Sequence, residues 1–157
     1  MERLHRYRVR VRWTGNTGSG TSGYKDYARS HAIEAPGKPA IAASADPHFR
    51  GDPASWNPEE LLVASLSACH QLWYLHLCAV AGVVVTGYED DAEGEMAEEG
   101  GGAGRFRRVV LKPRVRIAPG SDIAAAESLH ANAHEMCFVA NSVNFPVELS
   151  AEVMVDG

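Results

Sequence analysis

The segment of residues 61–86 contains no Asp, Glu, Lys or Arg, and this constrains the fold more than any other feature of the chain. An uncharged run of this length could cross a lipid bilayer. Polar side chains interrupt it, however, at Ser65, Ser67, His70, Gln71 and His76. Because polar groups are costly inside a bilayer and the rest of the chain is amphipathic, the segment is predicted to be the buried central helix of a globular protein, with no membrane as a partner.

The residues around this segment carry clear signals for a helix start and a helix end. Asn57 is a favourable N-cap, Pro58 suits the first helical position, and Glu60 can close a capping box with Asn57. Gly82 is the first residue that favours a helix end. We therefore predict one long helix from about residue 57 to Ala81.

Composition places the chain among ordinary globular proteins. With 157 residues, 45% of them hydrophobic and 22% charged, it is predicted to form a single domain over residues 1–157. The net charge of -5 argues against nucleic acid or an anionic membrane as a partner, since both require a basic surface. Three cysteines cannot build a disulfide framework, and no apolar signal core follows Met1. A cytoplasmic location with reduced thiols is therefore expected.

Alternating patterns predict several strands. Residues 4–13 alternate strictly, which indicates a strand with one buried apolar face. This face consists of Tyr7, Val9, Val11 and Trp13. A turn-rich stretch follows, and residues 24–35 and 40–44 are then predicted to form a second and a short third strand.

Two further predicted strands, residues 83–96 and 105–117, have complementary charges. Acidic side chains alternate along the first and basic side chains along the second: Glu89, Asp91, Glu93 and Glu95 on one, and Arg108, Lys112, Arg114 and Arg116 on the other. Paired as a hairpin, the two rows can neutralise each other across the strands. The basic strand is therefore interpreted as a solvated sheet face and not as a nucleic-acid site.

The C-terminal part of the chain completes an α+β arrangement. Pro119, Gly120 and Ser121 end the preceding strand, and a second helix is predicted over residues 122–136, with Cys137 at or just past its end. Residues 145–155 alternate again and form the predicted last strand. The order of strands, helix, hairpin, helix and strand indicates an α+β domain.

Helical phase separates the roles of the two cysteines on the long helix. Nine residues separate Cys69 from Cys78, so their side chains point to opposite sides. Cys78 lies among aliphatic residues and is interpreted as a small core residue. Cys69 follows a run of small residues that leaves room around its sulfur atom.

A metal site is an alternative interpretation of the cysteines and histidines. His130, His134 and Cys137 lie on one face of the second predicted helix, at spacings of four and three residues. Together with Cys69 they would provide a four-ligand set suited to zinc. This alternative corresponds to a zinc-binding or noncatalytic protein.

The motif Asn57-Pro58-Glu59-Glu60-Leu61 upstream of Cys69, with a second cysteine at the end of a later helix, resembles the signature of the OsmC/Ohr family of osmotically inducible and organic-hydroperoxide-resistance proteins. The resemblance implies antiparallel sheets packed around a long central helix, in an intertwined homodimer. It also implies cofactor-free reduction of organic hydroperoxides, with Cys69 as the peroxidatic cysteine and Cys137 as the resolving cysteine. The implied reductant is a lipoyl-type dithiol, with thioredoxin as the alternative.

Attack on an O–O bond requires a thiolate, so a cation must lie near Cys69. The helix dipole acts only within the first turn, and Cys69 lies about three turns into the helix. The resemblance implies an Arg–Glu pair for this purpose. Glu59 matches the motif glutamate, although an acidic residue is also favourable at this helix start. Arg50 is the better match for the arginine, and Arg29 is the rival.

The position of Glu59 raises a geometric difficulty. On one straight helix, the ten residues between Glu59 and Cys69 separate them by about 15 Å along the axis. The two side chains then cannot meet in one subunit. We predict either that the Glu/Arg pair reaches Cys69 from the other subunit of a homodimer, or that the helix is broken between the two residues.

Aromatic residues near the predicted site favour an organic substrate over hydrogen peroxide. Phe49, Trp56, Trp73 and Phe138 could form an apolar lining, although each also suits an ordinary core. Phe138 follows Cys137 where relatives often have proline, and this departure is compatible with a noncatalytic member.

Overall fold

The computed structural model describes all residues, 1–157, and contains nine strands and two α-helices. The elements are β1 (Arg10–Trp13), β2 (His31–Glu34), β3 (Ile41–Ala43), α1 (Pro58–Ala81), β4 (Val85–Asp90), β5 (Glu93–Glu98), β6 (Gly104–Leu111), β7 (Pro113–Ile117), α2 (Ile123–Met136), β8 (Val147–Leu149) and β9 (Glu152–Val155). Short 3₁₀ turns lie at Pro47–Phe49 and Ala140–Ser142. The α+β class is confirmed.

The chain divides into two compact units, Met1–Leu61 and Leu62–Gly157. The first unit contains a three-stranded antiparallel sheet in the order β1-β2-β3. The second contains two three-stranded sheets, β4-β7-β9 and β5-β6-β8. A single domain over residues 1–157 stays a prediction.

The strands of the first unit are shorter than predicted. β1 covers only the last four residues of the predicted strand, and β2 begins at His31 instead of residue 24. Side chains bind the backbone of the intervening loop: Asn16 accepts hydrogen bonds from the N–H groups of Gly18 and Gly20, and the Trp13 indole donates to the carbonyl of Ala28. These bonds satisfy backbone groups locally and replace a strand ladder.

The apolar face predicted for the first strand is not buried in the single chain. Its side chains are exposed, from 44% at Trp13 to 88% at Tyr7. The prediction of burial is wrong for the single chain, because alternation indicates which side chains share a face and not what covers that face.

Helix α1 has the predicted boundaries. The Asn57 carboxamide accepts from the Glu60 N–H at 2.9 Å and donates to the Glu60 carboxylate at 3.1 Å. Gly82 has φ 76°, and the Gly82 and Val83 N–H groups bond the carbonyls of Ala79 and Cys78 in a Schellman motif. The capping residues therefore determine both ends of the helix.

One face of α1 is buried and the rest is not. The buried residues recur every fourth position, at Leu66, His70, Tyr74 and Cys78. On other faces Leu72 is 66% exposed and Val80 is 74% exposed. Contrary to the prediction, the single chain therefore does not bury the whole helix. By length and composition alone, α1 is also the one helix that could cross a membrane.

The two sheets of the second unit are mixed, although antiparallel sheets were expected. The β4–β7 and β5–β6 pairs are antiparallel as predicted, whereas β9 joins β7 and β8 joins β6 in parallel. The predicted last strand divides at Ser150, whose N–H bonds the carbonyl of Leu111. The basic strand divides at the same level, next to Pro113, which lacks an N–H for the ladder.

The predicted charge pairing between the strands is confirmed. Glu95 pairs with Arg108 at 2.5 Å, and Arg114 pairs with Asp91 at 2.8 Å. Lys112 likewise bonds Glu93 at 2.8 Å. All these side chains are at least 39% exposed, so each pair contributes at most about 1 kcal/mol.

Candidate functional site

Cys69 and Cys137 are neighbours in the structure, close enough for the Cys69 thiol to raise the pKa of the Cys137 thiol. Cys69 projects half-buried from α1, and Cys137 is the C-cap residue of α2, with its N–H bonded to the carbonyl of His134 at 3.3 Å. Both are free thiols, as is Cys78. The fold thus brings together two cysteines that are far apart in sequence, in a contact from which a disulfide can form after oxidation.

Cys137 is a neutral thiol in this arrangement. Burial, followed by the neighbouring Cys69 thiol, raises its pKa to about 11, while the Ala140 N–H opposes the shift through a 3.4 Å bond to Sγ. Only 1% of Cys137 is exposed. A buried neutral thiol beside a half-buried one suits the resolving role, since only the more accessible sulfur can meet an external substrate.

Cys78 has no part in this pair. It is 1% exposed, packs with Tyr74 and Val115 in the larger core cluster, and burial raises its pKa. Its predicted role as a core residue is confirmed.

Two of the four predicted lining aromatics lie together near the thiols. Trp73 is one turn beyond Cys69 on α1, and Phe138 follows Cys137. Their rings meet edge to face with centroids 5.5 Å apart. Phe49 and Trp56 belong to the first unit, where they are 38% and 51% exposed.

A buried histidine pair accompanies the thiols and was not predicted as a functional feature. Nε2 of His70 lies 3.0 Å from Nδ1 of His130, and the rings are nearly coplanar, at 3°. The residues are 1% and 5% exposed. Burial lowers the pKa of each to about 4, so both are neutral near pH 7. The sequence feature that could have indicated this pair is His70 itself, a histidine within an apolar stripe that repeats every four residues along α1.

The zinc alternative is not supported by this geometry. No group of three or more His, Cys, Asp or Glu residues is placed to hold a metal ion. His130 bonds His70 and stacks on the Tyr74 ring at a centroid distance of 3.9 Å, so its ring lies in the core. Of the four candidate ligands, Cys69 and Cys137 therefore face each other, His130 pairs with His70, and His134 takes part in neither contact.

Glu59 lies in the first turn of α1, and its Oε2 is buried with no hydrogen-bond partner. Neither Arg50 nor Arg29 forms a salt bridge in the structure, so Glu59 has no arginine partner within the chain. α1 is unbroken from Pro58 to Ala81. The alternative of a helix break is wrong, and Glu59 is about 15 Å from Cys69 along the axis of one continuous helix, too far for the two side chains to meet.

The guanidinium groups of both candidate arginines lie near the ring of the same residue in the first unit, Tyr24. The Arg29 guanidinium is 4.7 Å from the centroid of Tyr24 and 3.9 Å from that of Tyr27, and donates to both carbonyls. The Arg50 guanidinium is 6.0 Å from the Tyr24 centroid, with no side-chain hydrogen bond. Arg29 is committed to holding its own loop, whereas Arg50 keeps its donors free. Arg50 also lines an open depression with Lys25 and Asp26.

Comparisons with known proteins assign the family. A family model described as OsmC-like protein matches residues 51–152. The structure is similar to that of an OsmC-like protein of unknown function from Vibrio cholerae, with a TM-score of 0.82 and 33% identity over 96% of this chain and 100% of that chain. The chain belongs to the OsmC/Ohr family. The α+β fold that the motif implied is confirmed by the structural similarity, whereas the homodimer stays a prediction.

More distant members of the OsmC/Ohr family share the fold at lower identity. An organic hydroperoxide resistance protein OsmC from Legionella pneumophila has a TM-score of 0.66 and 19% identity, over 98% of this chain and 100% of that chain. An organic hydroperoxide resistance protein from Elizabethkingia anophelis has a TM-score of 0.67 and 20% identity, over 99% and 100%. No curated protein sequence matches significantly.

Proposed function

We propose that the protein is a cysteine-based peroxidase that reduces organic hydroperoxides. The observation that carries this proposal is the proximity of the Cys69 and Cys137 thiols, one half-buried and one buried. Membership of the OsmC/Ohr family supports a redox or peroxidase role, and two structural relatives bear the name organic hydroperoxide resistance protein. The edge-to-face pair of Trp73 and Phe138 favours an apolar substituent on the peroxide.

The proposed cycle has three balanced steps. The Cys69 thiolate attacks one peroxide oxygen, the O–O bond breaks, and the alkoxide leaves as an alcohol after taking up a proton; the product is a Cys69 sulfenic acid. Cys137 then attacks the Cys69 sulfur, and the sulfenic oxygen leaves as water with the thiol proton. An external dithiol, lipoyl-type or thioredoxin, finally reduces the disulfide by thiol–disulfide exchange.

Stoichiometric oxidation tests the proposal. Reduced protein treated with one equivalent of cumene hydroperoxide should lose two hydrogens in intact mass, and a peptide map should join Cys69 to Cys137. The Cys78→Ser variant should behave identically, because Cys78 lies in the core away from the pair. Unchanged thiols after this treatment, together with stoichiometric zinc in the purified protein, would reject the peroxidase and support the metal-binding alternative.

A homodimer is part of the proposal. The apolar face of β1 and the uncovered faces of α1 leave large side chains exposed in one subunit, which is typical of an interaction surface. The buried carboxylate oxygen of Glu59 has no hydrogen-bond donor within the chain, and a residue of a second subunit can supply one. In the proposed dimer, Glu59 and Arg50 of one subunit act on the Cys69 thiolate of the other.

Mixing two inactive variants tests this arrangement. Glu59→Gln retains Cys69, and Cys69→Ser retains Glu59. If the pair acts between subunits, each mixed dimer has one complete site; after random exchange half of the dimers are mixed, and activity should return to about a quarter of the wild-type value. Activity that stays absent in mixtures shown to exchange subunits would exclude action across the interface.

A further inference from the structure

The two helices that carry the cysteines are joined in three places, and only the first belongs to the proposed peroxidase cycle. Cys69 of α1 lies beside Cys137 at the end of α2. The next residue of α1, His70, bonds His130. One turn later the Tyr74 hydroxyl donates to the carbonyl of Ala126 at 2.8 Å. The contacts advance along α1 while they recede along α2, so the helices are aligned antiparallel by side chains.

The thiol contact needs such an alignment because the hydrogen bonds of the Cys137 backbone and Sγ are all local to its own segment, with His134, Ala140 and Asn141. It lies at the helix end, with extended dihedrals of φ -69° and ψ 109°, and its own N–H makes a 3.3 Å bond. The following residue, Phe138, is 70% exposed. The position of the Cys137 sulfur atom relative to α1 therefore depends on how α2 is held further back along the helix.

The histidine pair is suited to hold α2 in this way. Each imidazole bonds the other, and neither Nδ1 of His70 nor Nε2 of His130 has another partner in the chain. His130 is seven residues before Cys137, so both project from nearly the same face of α2. A hydrogen bond between two rings is directional, so it forms in only one register of the two helices. Apolar packing is not directional and tolerates several registers.

Stability alone does not account for a buried polar pair at this place. A neutral intramolecular hydrogen bond contributes only about 1 kcal/mol net, and replacing both partners with apolar groups of the same shape can be neutral. Buried polar pairs are known in some proteins to select one register of packed helices. Selection of one register of α1 and α2 is therefore the role that best fits this buried pair.

We propose that His70 and His130 form a clasp between α1 and α2 that keeps the sulfur atoms of Cys69 and Cys137 aligned for disulfide formation. Both are positioning residues, since they act through the adjacent cysteines. The proposal rests on the proposed function for its role in turnover, but the alignment itself can be measured without peroxide. It predicts that loss of the clasp slows the second step of the cycle and leaves the first unchanged.

The reduction potential of the Cys69–Cys137 disulfide tests the alignment directly. The potential is measured in glutathione redox buffers, and all variants carry Cys78→Ser so that the third thiol takes no part. In this background, His70→Leu should lower the effective concentration of the two thiols at least tenfold. This corresponds to a rise in potential of about 30 mV. A folded variant whose potential equals that of the parent would overturn the clasp, whatever the result with hydroperoxides.

Two substitutions at His130 provide a matched pair should His70→Leu fail to fold. The asparagine amide nitrogen is as far along the side chain as Nδ1, whereas the glutamine nitrogen is one bond further. His130→Asn should keep the effective concentration of the two thiols, calculated from the potential, within about threefold of the parent. His130→Gln should lower this effective concentration about tenfold. Equal behaviour of the two variants would contradict a role for the hydrogen bond.

Rapid mixing with one equivalent of cumene hydroperoxide separates the two chemical steps. In His70→Leu, consumption of peroxide should stay within about threefold of wild type, and dimedone should trap a Cys69 sulfenic acid that wild type does not accumulate. Slowing of both steps equally would overturn the proposal, because the pair would then act on Cys69 itself. If wild type consumes no peroxide, the proposed function fails, and the glutathione equilibrium still decides the clasp.

Discussion

Replacing Cys69 with serine is expected to abolish hydroperoxide reduction, with a loss of at least about a thousandfold in the rate of peroxide consumption, because a serine hydroxyl is not ionised at neutral pH and cannot attack an O–O bond. The sulfur lies on a half-buried side chain of α1 beside a second thiol. The measurement is consumption of cumene hydroperoxide with dithiothreitol or a lipoyl dithiol as reductant.

Cys137→Ser provides the informative contrast. It should consume one equivalent of peroxide at nearly the wild-type rate and then stop as a Cys69 sulfenic acid, because the neighbouring thiol that forms the disulfide is missing. Cys78→Ser should retain full turnover, since that thiol is buried in the core. Turnover by Cys69→Ser would mean that the chemistry lies at another residue.

Acidification from pH 7 to pH 4 is expected to destabilise the protein by roughly 3 kcal/mol for each buried histidine, since one pKa unit corresponds to about 1.4 kcal/mol. The pKa of His70 and that of His130 are both lowered from 6.5 to about 4. Between these two values the unfolded chain binds more protons than the folded chain. The free energy of unfolding therefore rises with pH through this window and falls as the pH drops.

The direction of this shift follows from the surroundings of the pair. Burial is the main cause for both residues. For His70, the carboxylate of Asp90 opposes the shift, and His134 adds to it. Protonation of both rings would also leave two donors facing each other across the 3.0 Å contact, so the bond itself would be lost.

Urea unfolding at several pH values, followed by tryptophan fluorescence at a constant protein concentration, measures this effect. The double variant His70→Leu/His130→Leu should be much less sensitive to pH between 6.5 and 4. His76→Gln, which alters an exposed histidine of the same helix, should keep the wild-type sensitivity. A wild-type stability that is flat over this window would show that the pair is charged or exposed in solution.

The boundaries of α1 could be predicted because they depend on neighbouring residues. Asn57 and Glu60 satisfy the first N–H groups of the helix, and Gly82 adopts the positive φ that ends it. The acidic and basic rows were predictable for a similar reason, since alternation places like charges on one face and the hairpin brings the rows together.

Strand length and sheet direction were less predictable. Alternation extended the first predicted strand over residues 4–13, but only Arg10–Trp13 pairs, because pairing depends on where β2 lies. The division of the last strand at Ser150 depends on the position of Pro113 in a neighbouring strand. These features result from contacts between segments that are distant in sequence.

By itself the sequence determined the chemistry available to this protein: a capped helix bearing Cys69, a second cysteine at the end of a later helix, and a third removed from the site by helical phase. The tertiary structure alone decided that Cys137 meets Cys69 as a buried neutral thiol, that His130 bonds His70 instead of a metal, and that Glu59 finds no arginine within the chain. The reason is physical. Capping and phase act over a few residues, whereas burial, pKa and pairing depend on which distant side chains share the same interior.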